Sequence, residues 1–233
     1  MPAPNLINIA KNLAEVRQQI HDAEILFKRK PHSVFLLAVS KGQSIEKIQQ
    51  AILAGQFAFG ENHLQEALFK MAAFNERKLE WHFIGLIQRN KTKKMAEHFH
   101  WVHSVTDKHI AKRLNEQRPT HLPPLNICLQ VNVSQQTSKL GVSIDEVTSL
   151  ADYCLTLPHL KLRGLMTIPI PKNTFEEQRA EFAKLVELFH SLNEKKFQLD
   201  TLSMGMSNDM KAAIAEGSTI VRIGSAIFGA RDP

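Results

Sequence analysis

A chain of 233 residues, 43% hydrophobic and 22% charged, has the size of one large domain and an ordinary globular composition, which excludes a disordered chain or a disulfide-stapled miniprotein. The formal charge of +6 favours anionic ligands such as phosphates, but the 29 basic residues are spread among 23 acids. No basic run interleaved with aromatics occurs, which argues against a nucleic-acid surface.

The chain opens on an amphipathic pattern. Leu6, Ile9, Leu13, Val16 and Ile20 recur at helical spacing, so residues 1–30 are read as an added N-terminal helix and not as a secretory leader. The stretch "VFLLAVSKGQ" follows, a buried strand Val34–Val39 running straight into Ser40, Lys41 and Gly42. Lysine is mostly exposed, so Lys41 is either the strand's solvated exit or an amine with a chemical task. Ser44 then caps a helix whose face is Ile45, Ile48 and Ile52, with Gly55 as its stop. Strand-like runs at Gln56–Phe59, Leu79–Ile84, Trp101–His103, Leu125–Val131, Lys161–Met166, Leu199–Leu202 and Thr219–Ile223 alternate with helical patterns. The capping boxes "SIDE" (143–146) and "TFEE" (174–177) open two of those helices. Cys128 and Cys154, the two cysteines, fall on a strand and a helix face and read as free thiols of a reducing compartment. No run approaches the roughly 20 apolar residues of a membrane span. A soluble cytoplasmic protein is expected.

Eight strand–helix alternations without a long linker predict an α/β fold of parallel strands, a (β/α)8 TIM-type barrel in one domain, 1–233, carrying the additional N-terminal helix. A doubly wound open sheet is the rival, weakened by the lack of a Gly-x-Gly-x-x-Gly turn after the first strand.

A barrel builds its site at the carboxyl ends of its strands. There stand Ser40-Lys41, "GEN" (60–62), "GLIQRNK" (85–91), "NVS" (132–134), Met166-Thr167, "SMGMSND" (203–209) and "RIGSAIFG" (222–229). The last two lie where barrels often bind phosphate, and each offers a glycine, a serine hydroxyl and a helix start. A lysine facing a phosphate cradle suits a Schiff base with pyridoxal 5′-phosphate (PLP), because burial lowers the amine's pKa. Arg222 is then placed to meet the cofactor's ring nitrogen. An arginine cannot take up a proton, so the nitrogen stays neutral and the ring is a weak electron sink.

The motifs "LLAVSKGQ", "FGENHLQEA", "LEWHFIGLIQRNK", "LRGLMTIP" and "LSMGMSNDMKAAIAEGSTIVRIGSAIFGARD" resemble the pyridoxal phosphate homeostasis protein family from about residue 5 to the C-terminus. The resemblance implies PLP fold type III, the barrel of the alanine racemase N-terminal domain, with the cofactor held covalently on Lys41. It implies Arg222 facing the pyridine nitrogen, Ser207, Gly224 and Ser225 around the phosphate, and Asn62 and Met166 near the ring. Two departures are small. Gly85-Leu86-Ile87-Gln88 stands where the family often has Gly-Pro-Leu-Gln, and Ser225 where it often has threonine.

A two-base racemase needs a second acid/base opposite the lysine, in alanine racemase a partner subunit's tyrosine. This chain ends at Pro233 after the eighth strand, with no β-domain to build that dimer, and its single tyrosine, Tyr153, falls mid-helix. The expectation is a monomeric carrier that buffers and delivers PLP for vitamin B6 and amino-acid homeostasis, with apo PLP-dependent enzymes as transient acceptors. A slow PLP-dependent racemase or lyase is the alternative, and a cofactor-free Schiff-base aldolase a third reading. His98, His100, His103 and His109 share no periodicity and lack companion ligands, so no metal site is expected and they are read as surface and strand-end residues. "NKTKKM" (90–95) is read as a solvated helix start. Lys139 is read as an exposed loop lysine, with a secondary PLP contact as the alternative.

Overall fold

The computed structural model describes residues 8–134 and 140–229. The strands β1 (Phe35–Val39), β2 (Ala58–Glu61), β3 (Glu80–Phe83), β4 (Trp101–Val105), β5 (Leu125–Gln130), β6 (Leu160–Met166), β7 (Thr201–Ser203) and β8 (Ile220–Ile223) close into one barrel in chain order. Every neighbouring pair is parallel, and β8 returns beside β1 with Leu37 opposite Arg222. The helices α1 (Ile9–Leu26), α2 (Ile45–Leu53), α3 (Leu64–Ala73), α4 (Thr92–His98), α5 (Lys108–Gln117), α6 (Ile144–Leu155), α7 (Phe175–Lys195), α8 (Met210–Ala215) and α9 (Ser225–Phe228) complete the chain. The barrel expected from the alternation is present. None of the described helices is long and apolar enough to cross a membrane.

Alternation along each strand divides the core in two. Outward residues such as Ala38, Phe59, Phe83, Leu129 and Val221 join the large cluster beneath the helices, whereas Leu37, Ala58, Ile84 and Ile220 pack in the barrel interior. Trp101, Cys128 and Met166 form a separate buried cluster. Burial pushes the Cys154 thiol up to about 12 and the Cys128 thiol higher, so both are inert at neutral pH.

Helix α1 covers the barrel through Leu13, Val16 and Ile20, all buried, against α2, α8 and α9. Leu6 lies outside the described residues. Ser44 accepts from the Lys47 N–H and Thr174 forms the full box with Glu177, as their spacing predicts. The "SIDE" box is incomplete: Ser143 makes no cap to the backbone, because its hydroxyl bonds the Glu146 carboxylate at 2.5 Å. Strand β7 starts at Thr201 and not at Leu199. The Asn193 side chain donates to the Leu199 carbonyl at 2.9 Å and accepts from its N–H at 2.7 Å, taking that residue out of the ladder.

Candidate functional site

At the carboxyl end of β1 the chain turns at once. The Gln43 N–H donates to the Ser40 carbonyl at 3.0 Å, and Gly42 takes φ +68°, a left-handed conformation that glycine adopts without strain. Strand alternation sends Ser40 outward, where it is fully buried, and Lys41 inward to the mouth. Lys41 there borders a cleft of about 530 Å³ together with Asn62, Ser207, Arg222, Gly224 and Ser225. Surface depressions of similar volume elsewhere are lined by none of these residues. The cleft therefore gathers six of the seven residues singled out for the cofactor. Met166 is the exception: it is fully buried beside Trp101 and Cys128, in register with Ser203, and does not line the cleft.

The wall between β7 and β8 presents two hydroxyls. Ser207 Oγ and Ser225 Oγ stand 3.3 Å apart, and Gly224 precedes the short helix α9 with no side-chain cap on its first amides. Free amides and two hydroxyls at one spot form an anion cradle. Just past β2, the Asn62 amide oxygen is buried without a hydrogen-bond partner although its residue borders the cleft. A buried acceptor in that state at the edge of a cleft is open to a donor from a bound molecule.

Arg222 enters from β8 and is 4% exposed. Its Nη1 donates to the Ser203 carbonyl at 2.5 Å and Ser203 Oγ at 2.9 Å, and Nη2 donates to the Thr167 carbonyl at 2.8 Å. Desolvation pushes its pKa down to about 10, opposed by nearby Asp209, so it remains a cation at neutral pH. Burial in turn raises the Asp209 carboxyl, which accepts from the Met206 N–H at 2.6 Å.

Behind Arg222 a polar chain crosses the barrel. Ser203 Oγ meets His103 Nδ1 at 2.8 Å, His103 Nε2 meets His82 Nδ1 at 2.8 Å, and His82 Nε2 meets Glu80 Oε1 at 2.7 Å. One arrangement of protons satisfies every link. The Glu80 carboxylate accepts only, so His82 donates through Nε2 and accepts at Nδ1. His103 then donates through Nε2 and accepts the Ser203 hydroxyl proton at Nδ1, leaving the serine oxygen to accept from Arg222. Both imidazoles are neutral in this scheme, and burial holds both below the usual imidazole range, His103 well below. His103 is thus not a strand-end surface residue. Its inward parity on β4 places it in the interior, whereas His98, His100 and His109 are exposed.

This chain has a pH signature. Below about pH 6.5 the unfolded protein protonates these histidines while the folded protein does not, so stability falls as pH falls, by up to about 1.4 kcal/mol per pH unit for each. Urea unfolding of wild type and His103→Phe at pH 7, 6 and 5 should show a slope flatter by about one proton in the variant. Identical slopes would mean that His103 is not held neutral.

Motif spacing did not reveal the whole lining. The loop after β6 contributes Ile168, Pro169, Pro171 and Lys172, and Met206 stands 38% exposed at the rim. The signal available was position alone, since all follow a strand's carboxyl end. Lys139 lies outside the described residues.

The alanine racemase N-terminal domain family matches residues 5–232. A pyridoxal phosphate homeostasis protein of Pseudomonas aeruginosa is 54% identical over 224 residues, covering 96% of this chain and 96% of its own. The protein of that name from Escherichia coli K12 is 49% identical over 228 residues, 97% of each chain. Among solved structures, PipY of Synechococcus elongatus with PLP bound superposes with a TM-score of 0.83 at 36% identity, covering 95% of this chain and 100% of that one.

Proposed function

The chain belongs to the pyridoxal phosphate homeostasis protein family, and we propose that it holds PLP as a Schiff base on Lys41, buffers it, and delivers it to apo-enzymes that require it. In this reading it acts in the cytoplasm and as a monomer, and sustains vitamin B6 and amino-acid homeostasis. One observation carries the proposal: an amine, a buried guanidinium and a serine–amide cradle open on the same cleft.

The residues present fit the cofactor. When bound, PLP supplies an aldehyde and an electron-accepting ring. Lys41 offers the amine, while Ser207, Ser225 and the amides after Gly224 offer donors for a phosphate carrying about −1.5 to −2 charges. The Asn62 amide oxygen, unpartnered in the protein, would be available to a polar group of the bound cofactor. Arg222, bordering the cleft, would meet the pyridine nitrogen and, as a cation, would keep a proton off it. That keeps the ring a poor electron sink and favours retention over chemistry. Tyr153 supports the same reading. It lies on α6 in a depression with Lys108 and Asp145, whose lining shares no residue with the cleft. The chain's single tyrosine therefore supplies no second base at Lys41.

Delivery is tested by mixing holo-protein with an apo PLP-dependent enzyme in the presence of a phosphatase that destroys free PLP. Reactivation that survives the phosphatase supports hand-over in contact, and reactivation abolished by it reduces the role to buffering. Turnover of single amino acids above that of free PLP, lost in Lys41→Ala, would replace the carrier reading by that of a slow enzyme. The cradle makes its own prediction. Ser225→Asp sets a carboxylate beside the phosphate position and should weaken PLP binding by at least about tenfold, roughly 1.4 kcal/mol. Equilibrium dialysis giving unchanged affinity would move the phosphate elsewhere.

A further inference from the structure

The turn that carries Lys41 is held from behind by a lysine and two glutamates that take no part in the cleft. Lys70, on α3 and 2% exposed, donates through Nζ to the Ser40 carbonyl at 2.6 Å, to Glu61 Oε1 at 2.8 Å and to Glu66 Oε1 at 2.5 Å. Glu66, one helical turn before Lys70, accepts the Gly42 N–H at 2.6 Å. Glu61, fully buried at the end of β2, accepts the Ser40 hydroxyl at 2.6 Å. The peptide groups on both sides of Lys41 are thus tied to one lysine–diglutamate cluster.

Burying a lysine between two carboxylates costs several kcal/mol of desolvation per ion and is seldom a net gain over apolar packing. Here the surroundings were free to be apolar, since Ala38, Phe59 and Ala67 pack in the same layer. The hydrogen bonds have a geometric use instead. Strand β1 ends at Val39, and the next four residues make a tight turn beyond it, joined to the barrel ladder through the Ser40 N–H on the Gly60 carbonyl. A turn fixed at its carbonyl, its hydroxyl and its following N–H cannot rotate Lys41 out of the mouth.

We infer that Lys70, Glu61 and Glu66 are positioning residues, a clamp behind the barrel wall that fixes the peptide bearing Lys41 and aims its amine into the cleft. The inference rests on the reading of Lys41 as the amine that holds PLP. None of the three lines the cleft, so their effect passes through the turn. Covalent capture, which needs the amine aimed at the aldehyde, depends on the clamp, whereas recognition of phosphate and ring does not.

Lys70→Met keeps the length of the stem and removes the charge, and Glu66→Gln, at the less buried end, keeps an acceptor but not the ion. In Lys70→Met the rate of covalent PLP capture, trapped with borohydride, should fall roughly tenfold or more. Affinity for a PLP analogue lacking the aldehyde should stay within about twofold, and Gly42 amide exchange in apo-protein should accelerate by about tenfold. Lys70→Arg should restore much of the capture rate. Glu66→Gln should move capture and exchange in the same direction by a smaller factor, and it carries the test if Lys70→Met does not fold. Unchanged Gly42 exchange, or analogue affinity falling in step with capture, would overturn the clamp. Wild type failing to capture PLP at Lys41 would overturn the site reading instead, and Gly42 exchange would still decide the clamp.

Discussion

Lys41→Ala should abolish covalent retention of PLP. Borohydride reduction of wild-type holo-protein followed by peptide mapping should place the label on Lys41, and the variant should carry none. The loss follows from the proposed reading of the cleft, in which Arg222, Asn62 and the serine cradle would hold the phosphate and ring while Lys41 would supply the amine that bonds the aldehyde. Reversible binding through the remaining groups should persist, weakened by about 100-fold, near 2.7 kcal/mol. Label on Lys139, or retention in the variant equal to wild type, would contradict the assignment. Loss of the reversible component as well would show that the amine also supports the phosphate.

Gly85→Ala should damage both the barrel and the cleft. Gly85 follows β3, and its carbonyl accepts the Ser104 hydroxyl at 2.6 Å. A Cβ built there would fall on the Asn62 carbonyl oxygen and lie 2.7 Å from the Asn62 Cα. Backbone cannot yield as a flexible side chain does, so the Asn62 peptide must shift. Overpacking of this kind costs about 1–3 kcal/mol, and here it moves a residue that lines the cleft. PLP affinity should fall about tenfold beyond what the lower stability explains. Parallel measurement of urea midpoint and binding separates the two effects. A variant as stable and as tight-binding as wild type would show that the β2–β3 approach is looser than the geometry implies.

Much of this molecule is written locally. The alternation of short apolar strands with capped helices carries the barrel, because each strand–helix unit must bury two faces and parallel strands need crossover helices. Lys41, Ser207, Gly224 and Ser225 are legible as site candidates because barrel chemistry collects at strand carboxyl ends, and these residues lie within four positions of the ends of β1, β7 and β8. The boundaries were less legible. Leu199 reads as strand until Asn193 claims its backbone, and Ser143 reads as a cap until Glu146 claims its hydroxyl.

What local pattern could not disclose is which polar residues meet across the barrel. Glu80, His82, His103 and Ser203 come from three strands and read singly as ordinary strand residues. Their common inward parity and adjacent levels join them into one chain ending on Arg222. Lys70 likewise reads as a helix-surface cation four residues after Glu66, and only the docking of α3 against β2 buries it between two carboxylates under the Ser40–Gly42 turn.

The sequence alone determined that a lysine closes the first strand of an eight-fold βα repeat, because strand period and helix caps act over a few neighbouring residues. The tertiary structure decided the rest. Barrel closure brings β8 beside β1 and so sets Arg222 and the serine cradle opposite Lys41. The same closure shuts water out of the interior and of the layer behind it. Charged and hydrogen-bonding side chains there must find one another, and those pairings aim the groups at the mouth.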